Sequence, residues 1–232
     1  MTSRVLTLGG GGFSMEPDNP LLDDFCLSLV PHGRTPRVCF VPTASGDAQS
    51  YVDGFETAFA GRAETSVLRL FGREVRDLRA LVTAQDVVYV GGGSTLNLLA
   101  LWRLHGLDVV LREAWEAGVV MAGVSAGMNC WFEGSITDSW SPDLAPLDDG
   151  LGLLPGTACP HYDGEERRRP AYEAAVADGF GEGHAADDGA ALLFTDGVLD
   201  EVVSSRPAAR AHRVERGEGG VTSTPLPTRY LG

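Results

Sequence analysis

The chain has 232 residues, 30 of them glycine, with 44% hydrophobic residues and a formal net charge of −14. That length supports a self-sufficient α/β core without disulfide or metal staples. The charge excludes a nucleic-acid binder, since the only dense basic run, Arg167-Arg168-Arg169, is too short to neutralise several phosphates.

Along the chain, short apolar runs alternate with longer amphipathic ones, the pattern of a parallel sheet covered by helices. Strands are expected at 5–8, 38–42, 66–70, 87–90 and 119–124. They are rich in Val and Leu without polar alternation, as strands buried on both faces are. Helices are expected at 20–29, 50–59, 76–82, 95–105 and 107–117, with a further one after Pro170 through Val176. The tail then changes character, with short strands at 190–194, 201–204 and 211–214 and a turn at Thr195-Asp196-Gly197. The expected architecture is a single α/β domain over residues 1–232: a doubly wound, mostly parallel sheet flanked by helices, with a β-rich C-terminal addition.

Cys26, Cys39, Cys130 and Cys159 share no C-x-x-C spacing and lie in or beside apolar segments, as buried free thiols in a reducing compartment do. No apolar stretch approaches the ~20 residues of a membrane span. The first residues run into a strand-like segment without the layout of a secretory signal. A cytoplasmic protein without membrane or nucleic-acid partners, monomeric or homodimeric, is the expectation. No His, Cys, Asp or Glu cluster has metal-ligand spacing, and Gly9-Gly10-Gly11-Gly12 leads into Phe13 and Pro17 rather than a helix start, so no metal, nucleotide or other cofactor is expected.

In open parallel sheets, ligands bind at the carboxyl ends of the strands. Four unusual segments fall there: Gly9–Gly12, Pro42–Asp47, Gly91-Gly92-Gly93-Ser94-Thr95 and Gly123-Val124-Ser125-Ala126-Gly127. The last has the G-x-S-x-G form of a strand turning sharply into a helix. Small residues on both sides let the backbone crowd together and expose the serine hydroxyl near free helix N–H groups. The competing reading is an ordinary turn with Ser125 as helix N-cap.

A serine hydroxyl needs a base to take its proton. Of five histidines, His32 and His105 fall at probable helix ends or loops, His184 in a Gly-rich loop and His212 in a late strand. His161 differs, because Ala158-Cys159-Pro160-His161-Tyr162-Asp163 delivers it at the end of a short apolar approach.

The triple glycine, then Gly-Val-Ser-Ala-Gly-Met-Asn, then Cys-Pro-His-Tyr-Asp, in this order, resembles the peptidase E family of serine peptidases. The resemblance runs from Thr7-Leu8-Gly9 to Val203-Ser204-Ser205 and implies a fold similar to class I glutamine amidotransferases. It implies a dipeptidase acting on short peptides, with Ser125 as nucleophile and His161 as general base. It further implies Asp188 as the acid that orients His161, where the family has Glu, with Asp138 as the alternative. The N–H of Ala126 and that of Gly92 or Gly93 would bind the oxyanion. Ser94 stands where the family commonly has Asn and is a candidate substrate contact. Arg167 and Arg168 are candidates for pairing a substrate carboxylate, or else flank the following helix. Two other classes compete: an esterase of α/β-hydrolase type, with a Ser125–Asp196 or Asp200–His212 triad, and a non-catalytic ligand binder on the same fold. The segment between Phe132 and Gly156 is the expected loop that excludes long peptides.

Overall fold

The computed structural model describes residues 2–31, 33–72 and 74–232; His32, considered above, lies outside them. Five strands run parallel in the order β1 (Arg4–Leu8), β5 (Val120–Val124), β4 (Val87–Val90), β2 (Arg37–Val41) and β3 (Glu64–Val67). Beyond β1 the sheet continues with antiparallel β10 (Ala190–Thr195) and β11 (Val198–Ser204), and with β14 (Arg229–Tyr230) at the edge.

The lack of polar alternation in these strands follows from two cores. Leu6, Phe40 and Tyr89 face α1 (Leu21–Ser28) and α2 (Gln49–Phe59), joining Leu22, Phe55 and Phe59. Their strand neighbours Val5, Val41 and Val88 face the other way, joining Val82 of α3 (Leu78–Thr83), Leu98 of α4 (Thr95–His105) and Leu111 of α5 (Leu107–Glu116). Strands β1, β2, β4 and β5 therefore bury both sides, as the sequence reading requires.

The expected β-rich C-terminal addition is not one unit. β10 and β11 extend the main sheet, whereas β12 (Ala211–Gly217) and β13 (Gly220–Pro225) join a second, six-stranded sheet of order β13-β12-β9-β8-β6-β7. Its other members are β6 (Phe132–Thr137), β7 (Ala145–Leu147), β8 (Leu154–Cys159) and β9 (Gly183–Ala186). The segment expected as a blocking loop therefore carries two strands and the start of a third. Pro146 disguises β7, yet it is tolerated because β7 is an edge strand paired only to β6. Gly183 disguises β9, and a Cβ there would run into the Thr157 carbonyl of β8.

The helix expected after Pro170 begins earlier, as α7 (Arg168–Ala177), since proline is tolerated in a first helical turn. Tyr172 and Val176 of α7 cover Ile136, Cys159 and Val214 of the second sheet. The two sheets share a core in which the Phe132 and Phe194 rings meet edge to face at 5.6 Å. Strand β3 lies two residues earlier than expected, because its pairing residues Glu64 and Thr65 are exposed on an edge and carry no apolar signal. All four cysteines are free and buried. Among the described residues no helix is long and apolar enough to cross a membrane.

Candidate active site

The carboxyl ends of β1, β5 and β4 lie side by side, and β8 of the second sheet delivers its own end against them. At the end of β5, Ser125 has φ 59° and ψ −112°, a combination costing about 1–3 kcal/mol for a residue with a side chain. Gly123 and Gly127 make the corner possible: a Cβ at Gly123 would strike the Gly127 carbonyl, and one at Gly127 the Val90 carbonyl. Ser125 donates its N–H to Leu8 O at 3.1 Å and precedes α6 (Ala126–Asn129). Its side chain makes no capping hydrogen bond to α6. The side-chain N-cap reading of Ser125 is therefore not realised, and the strained corner holds out a hydroxyl without a hydrogen-bond partner among the described residues.

His161 is also held at positive φ, 54°, just past the end of β8. Its N–H bonds Gly9 O at 3.1 Å, so the serine and the histidine hang from consecutive carbonyls at the exit of β1. His161 Nδ1 lies 2.7 Å from Asp188 Oδ1, with both side chains 12% exposed. Asp188 is fixed in turn: its N–H donates to Asp163 Oδ1 at 2.8 Å, and Gly10 and Gly164 close on its carboxylate so tightly that a Cβ on either would strike it. The contact is direct, so the short aspartate reaches the imidazole without a bridging water. A carboxylate on Nδ1 fixes the tautomer that leaves Nε2 as the proton acceptor.

Asp138 lies elsewhere. Its half-exposed carboxylate faces Arg168 Nη2 at 3.7 Å, just past the end of β6. The esterase-type triad is not assembled. Thr195 pairs with Arg4, so the Asp196 turn lies at the entrance of β1, where Asp196 Oδ1 accepts the Ser3 N–H. Asp200 accepts from Thr195 Oγ1, and His212 faces Asp187 at 3.6 Å.

The loop after β4 separates the two oxyanion candidates. Gly92 donates its N–H to the Tyr51 hydroxyl at 3.0 Å, so this amide is already engaged and the assignment of Gly92 as a donor is corrected. Burial holds the Tyr51 phenol above its ordinary range, so it is present as the neutral hydroxyl. Gly93 is exposed, has φ 135° and, among the described residues, has no partner for its N–H. Ala126, the first residue of α6, likewise has a free N–H because a helix start leaves its first amides unpaired.

Of the expected substrate contacts, Ser94 and Arg168 are engaged within the fold. The Ser94 hydroxyl caps α4, accepting the Asn97 N–H at 3.3 Å. Arg168 is buried: Nε donates to Glu165 Oε2 at 2.6 Å and Nη1 to Ile136 O at 3.2 Å. It ties α7 to the second sheet rather than facing a substrate. Arg167 is exposed and donates to Pro142 O at 2.9 Å. Sequence reasoning missed Gly10, Asp163 and Tyr51. The first two stand inside motifs already singled out, whereas nothing in the sequence marks Tyr51.

Comparison with known proteins gives the family of the chain. The family model described as Peptidase family S51 matches residues 5–202. The uncharacterized peptidase YgaJ of Bacillus subtilis (strain 168) is 51% identical over 231 residues, covering 99% of each chain. Peptidase E of Pasteurella multocida (strain Pm70) is 30% identical over 182 residues, 75% of this chain and 76% of its own length. In fold, the crystal structure of a peptidase from an acI-B1 Actinobacterium superposes with a TM-score of 0.72 at 19% identity, covering 98% of this chain and 95% of that one. The chain belongs to peptidase family S51 and is a peptidase of the peptidase E kind.

Proposed function

We propose that the protein is a serine exopeptidase, a dipeptidase of the peptidase E type, working in the cytoplasm through Ser125, His161 and Asp188. The observation that carries this reading is the 2.7 Å hydrogen bond between His161 Nδ1 and Asp188, with His161 and the strained Ser125 hung from the consecutive carbonyls of Gly9 and Leu8.

In the proposed reaction, Ser125 Oγ attacks the scissile carbonyl carbon while His161 Nε2 takes the hydroxyl proton. Asp188 stabilises the imidazolium that results. The carbonyl oxygen, now negative, accepts hydrogen bonds from the Ala126 and Gly93 amides. As the tetrahedral intermediate collapses, His161 returns the proton to the leaving amine and an ester forms on Ser125. Water, deprotonated by His161, then attacks the ester, and as the bond to Ser125 Oγ breaks His161 returns the proton to that oxygen, releasing the acid. The buried, free cysteines are consistent with a reducing compartment.

The test is hydrolysis of a dipeptide panel including Asp-Leu, Gly-Phe and Ala-Leu by the wild type and by Ser125→Ala. Cleavage that vanishes in the variant supports the reading, and the preferred first residue gives the specificity. A folded wild type that cleaves no peptide in the panel overturns it.

A further inference from the structure

We propose that Tyr51, on a helix outside the catalytic motifs, is the positioning residue that aims the oxyanion-binding amide of Gly93. The inference rests on the proposed function and extends it to a residue that no motif marks. Its basis is a count of where the loop amides between Gly91 and Ser94 go. Gly91 donates to Val41 O at 3.2 Å, Gly92 to Tyr51 Oη at 3.0 Å, and Ser94 to Ala44 O at 2.9 Å. Three of four successive N–H groups are thus committed, and Gly93 alone is left to face the crevice. Two of the three anchors are backbone carbonyls at the end of β2; the third is a side chain, and that side chain is Tyr51.

The Gly92 peptide has no reason of its own to hold that direction. Glycine has wide backbone freedom, and a run of three glycines resists reorientation only where it is clamped. On the far side the clamp is the Ser94 N–H bond to Ala44 O, which holds the backbone so close that a Cβ at Gly93 would run into that carbonyl. On the near side it is the phenol. The Tyr51 ring also lies close against the loop, with Cε1 only 2.8 Å from where a Gly91 Cβ would stand. The ring itself is set by Phe40 at 5.1 Å and Phe13 at 5.5 Å between centroids. Gly92 in turn abuts the nucleophile, with its Cβ position 3.3 Å from Ser125 Cβ. Turning the Gly92 peptide therefore moves the Gly93 N–H relative to the atom it serves. Preorganised donors act because they need no reorganisation at the moment of reaction, so a loosened donor loses transition-state stabilisation while leaving substrate binding nearly intact.

The discriminating substitution is Tyr51→Phe, which removes one oxygen and keeps the ring packing. On the dipeptide that the wild type cleaves best, kcat is expected to fall about 10- to 100-fold, with KM within about twofold. The thermal midpoint, measured alongside, should change by only a few degrees. As a second readout, labelling of Ser125 by a fluorophosphonate, whose phosphoryl oxygen uses the same donors, should slow by a similar factor, with Ser125→Ala as the unlabelled control. Unchanged kcat and labelling rate in folded Tyr51→Phe would overturn the proposal, as would a rise in KM that accounts for the whole loss. A wild type that neither cleaves peptides nor labels overturns the proposed function itself, and this inference with it. Labelling without cleavage overturns only the dipeptidase assignment and leaves the labelling comparison to decide the role of Tyr51.

Discussion

His161 Nδ1 and Asp188 Oδ1 meet at 2.7 Å inside a pocket whose other walls are the α-carbons of Gly10 and Gly164. The pocket fits an aspartate and has no room for one more methylene. Asp188→Asn is expected to lower kcat/KM about 10³- to 10⁴-fold, because an amide cannot stabilise the imidazolium and favours the wrong tautomer. Asp188→Glu, despite its conserved charge, should lose at least about tenfold, because the longer side chain must displace Gly10 or Gly164. Asp138→Asn should stay within about twofold of wild type. Steady-state kinetics on one dipeptide check all three, and an Asp138→Asn loss as deep as that of Asp188→Asn would move the acid to Asp138.

Much of this site could be read from residue order alone. The central strands β1, β2, β4 and β5 were legible because each is apolar on both faces, and Ser125 and His161 were legible because Gly, Pro and short apolar runs punctuate their approaches. The second sheet was not. β7 carries a proline and β9 is built from Gly, His and Ala; both rely on neighbours rather than on intrinsic preference, and propensity is silent there. Tyr51 and the burial of Arg168 were illegible for another reason: each depends on a partner that is distant in sequence, Gly92 for the one and Ile136 for the other.

Gly10 and Gly123 separate catalytic from structural glycines. A Cβ at Gly10 would press on Asp188 Oδ1 and lie 3.0 Å from His161 Nδ1, side-chain atoms that can shift. At Gly123 it would meet the backbone of Gly127, which cannot move without breaking the corner. Gly10→Ala is expected to fold normally and lose about 100-fold in kcat, whereas Gly123→Ala should fail to fold or melt far below wild type. Circular dichroism melts beside the kinetic assay distinguish the two outcomes.

Arg168 and Arg167 are adjacent but energetically unlike. Arg168 has a side chain 6% exposed that donates to the buried Ile136 carbonyl, so truncating it removes that carbonyl's partner; Arg167 is 68% exposed. Arg168→Gln should cost about 1–3 kcal/mol of unfolding free energy, and Arg167→Gln less than about 0.5 kcal/mol. Urea midpoints test this, and equal midpoints for the two variants would contradict a supporting role for Arg168.

Asp23 on α1 and His184 on β9 set opposing pH dependences of stability. Burial raises the Asp23 carboxyl to about 7, although Arg62 and the Phe13 amide pull the other way, and Asp23 Oδ1 has no hydrogen-bond partner among the described residues. Burial also lowers the His184 imidazole to about 4, assisted by Arg213. As pH rises from about 4 to 7, the unfolded chain releases the Asp23 proton while the folded chain keeps it, so this group removes stability with rising pH. As pH falls from about 6.5 to 4, the unfolded chain takes up a proton that the folded chain refuses at His184, so that group removes stability with falling pH. The two displacements are similar in size, so the wild-type profile should be nearly flat across this window as far as these groups decide it. Asp23→Asn should leave the histidine effect uncovered, giving stability that climbs from pH 4 to 7 and exceeds wild type at pH 8 by about 2–4 kcal/mol. His184→Gln should give the opposite slope, whatever packing cost it adds at every pH. Urea unfolding at pH 4.5, 6 and 8 reads the slopes directly, and variant profiles parallel to wild type would show that neither group is buried in its charged-disfavouring site.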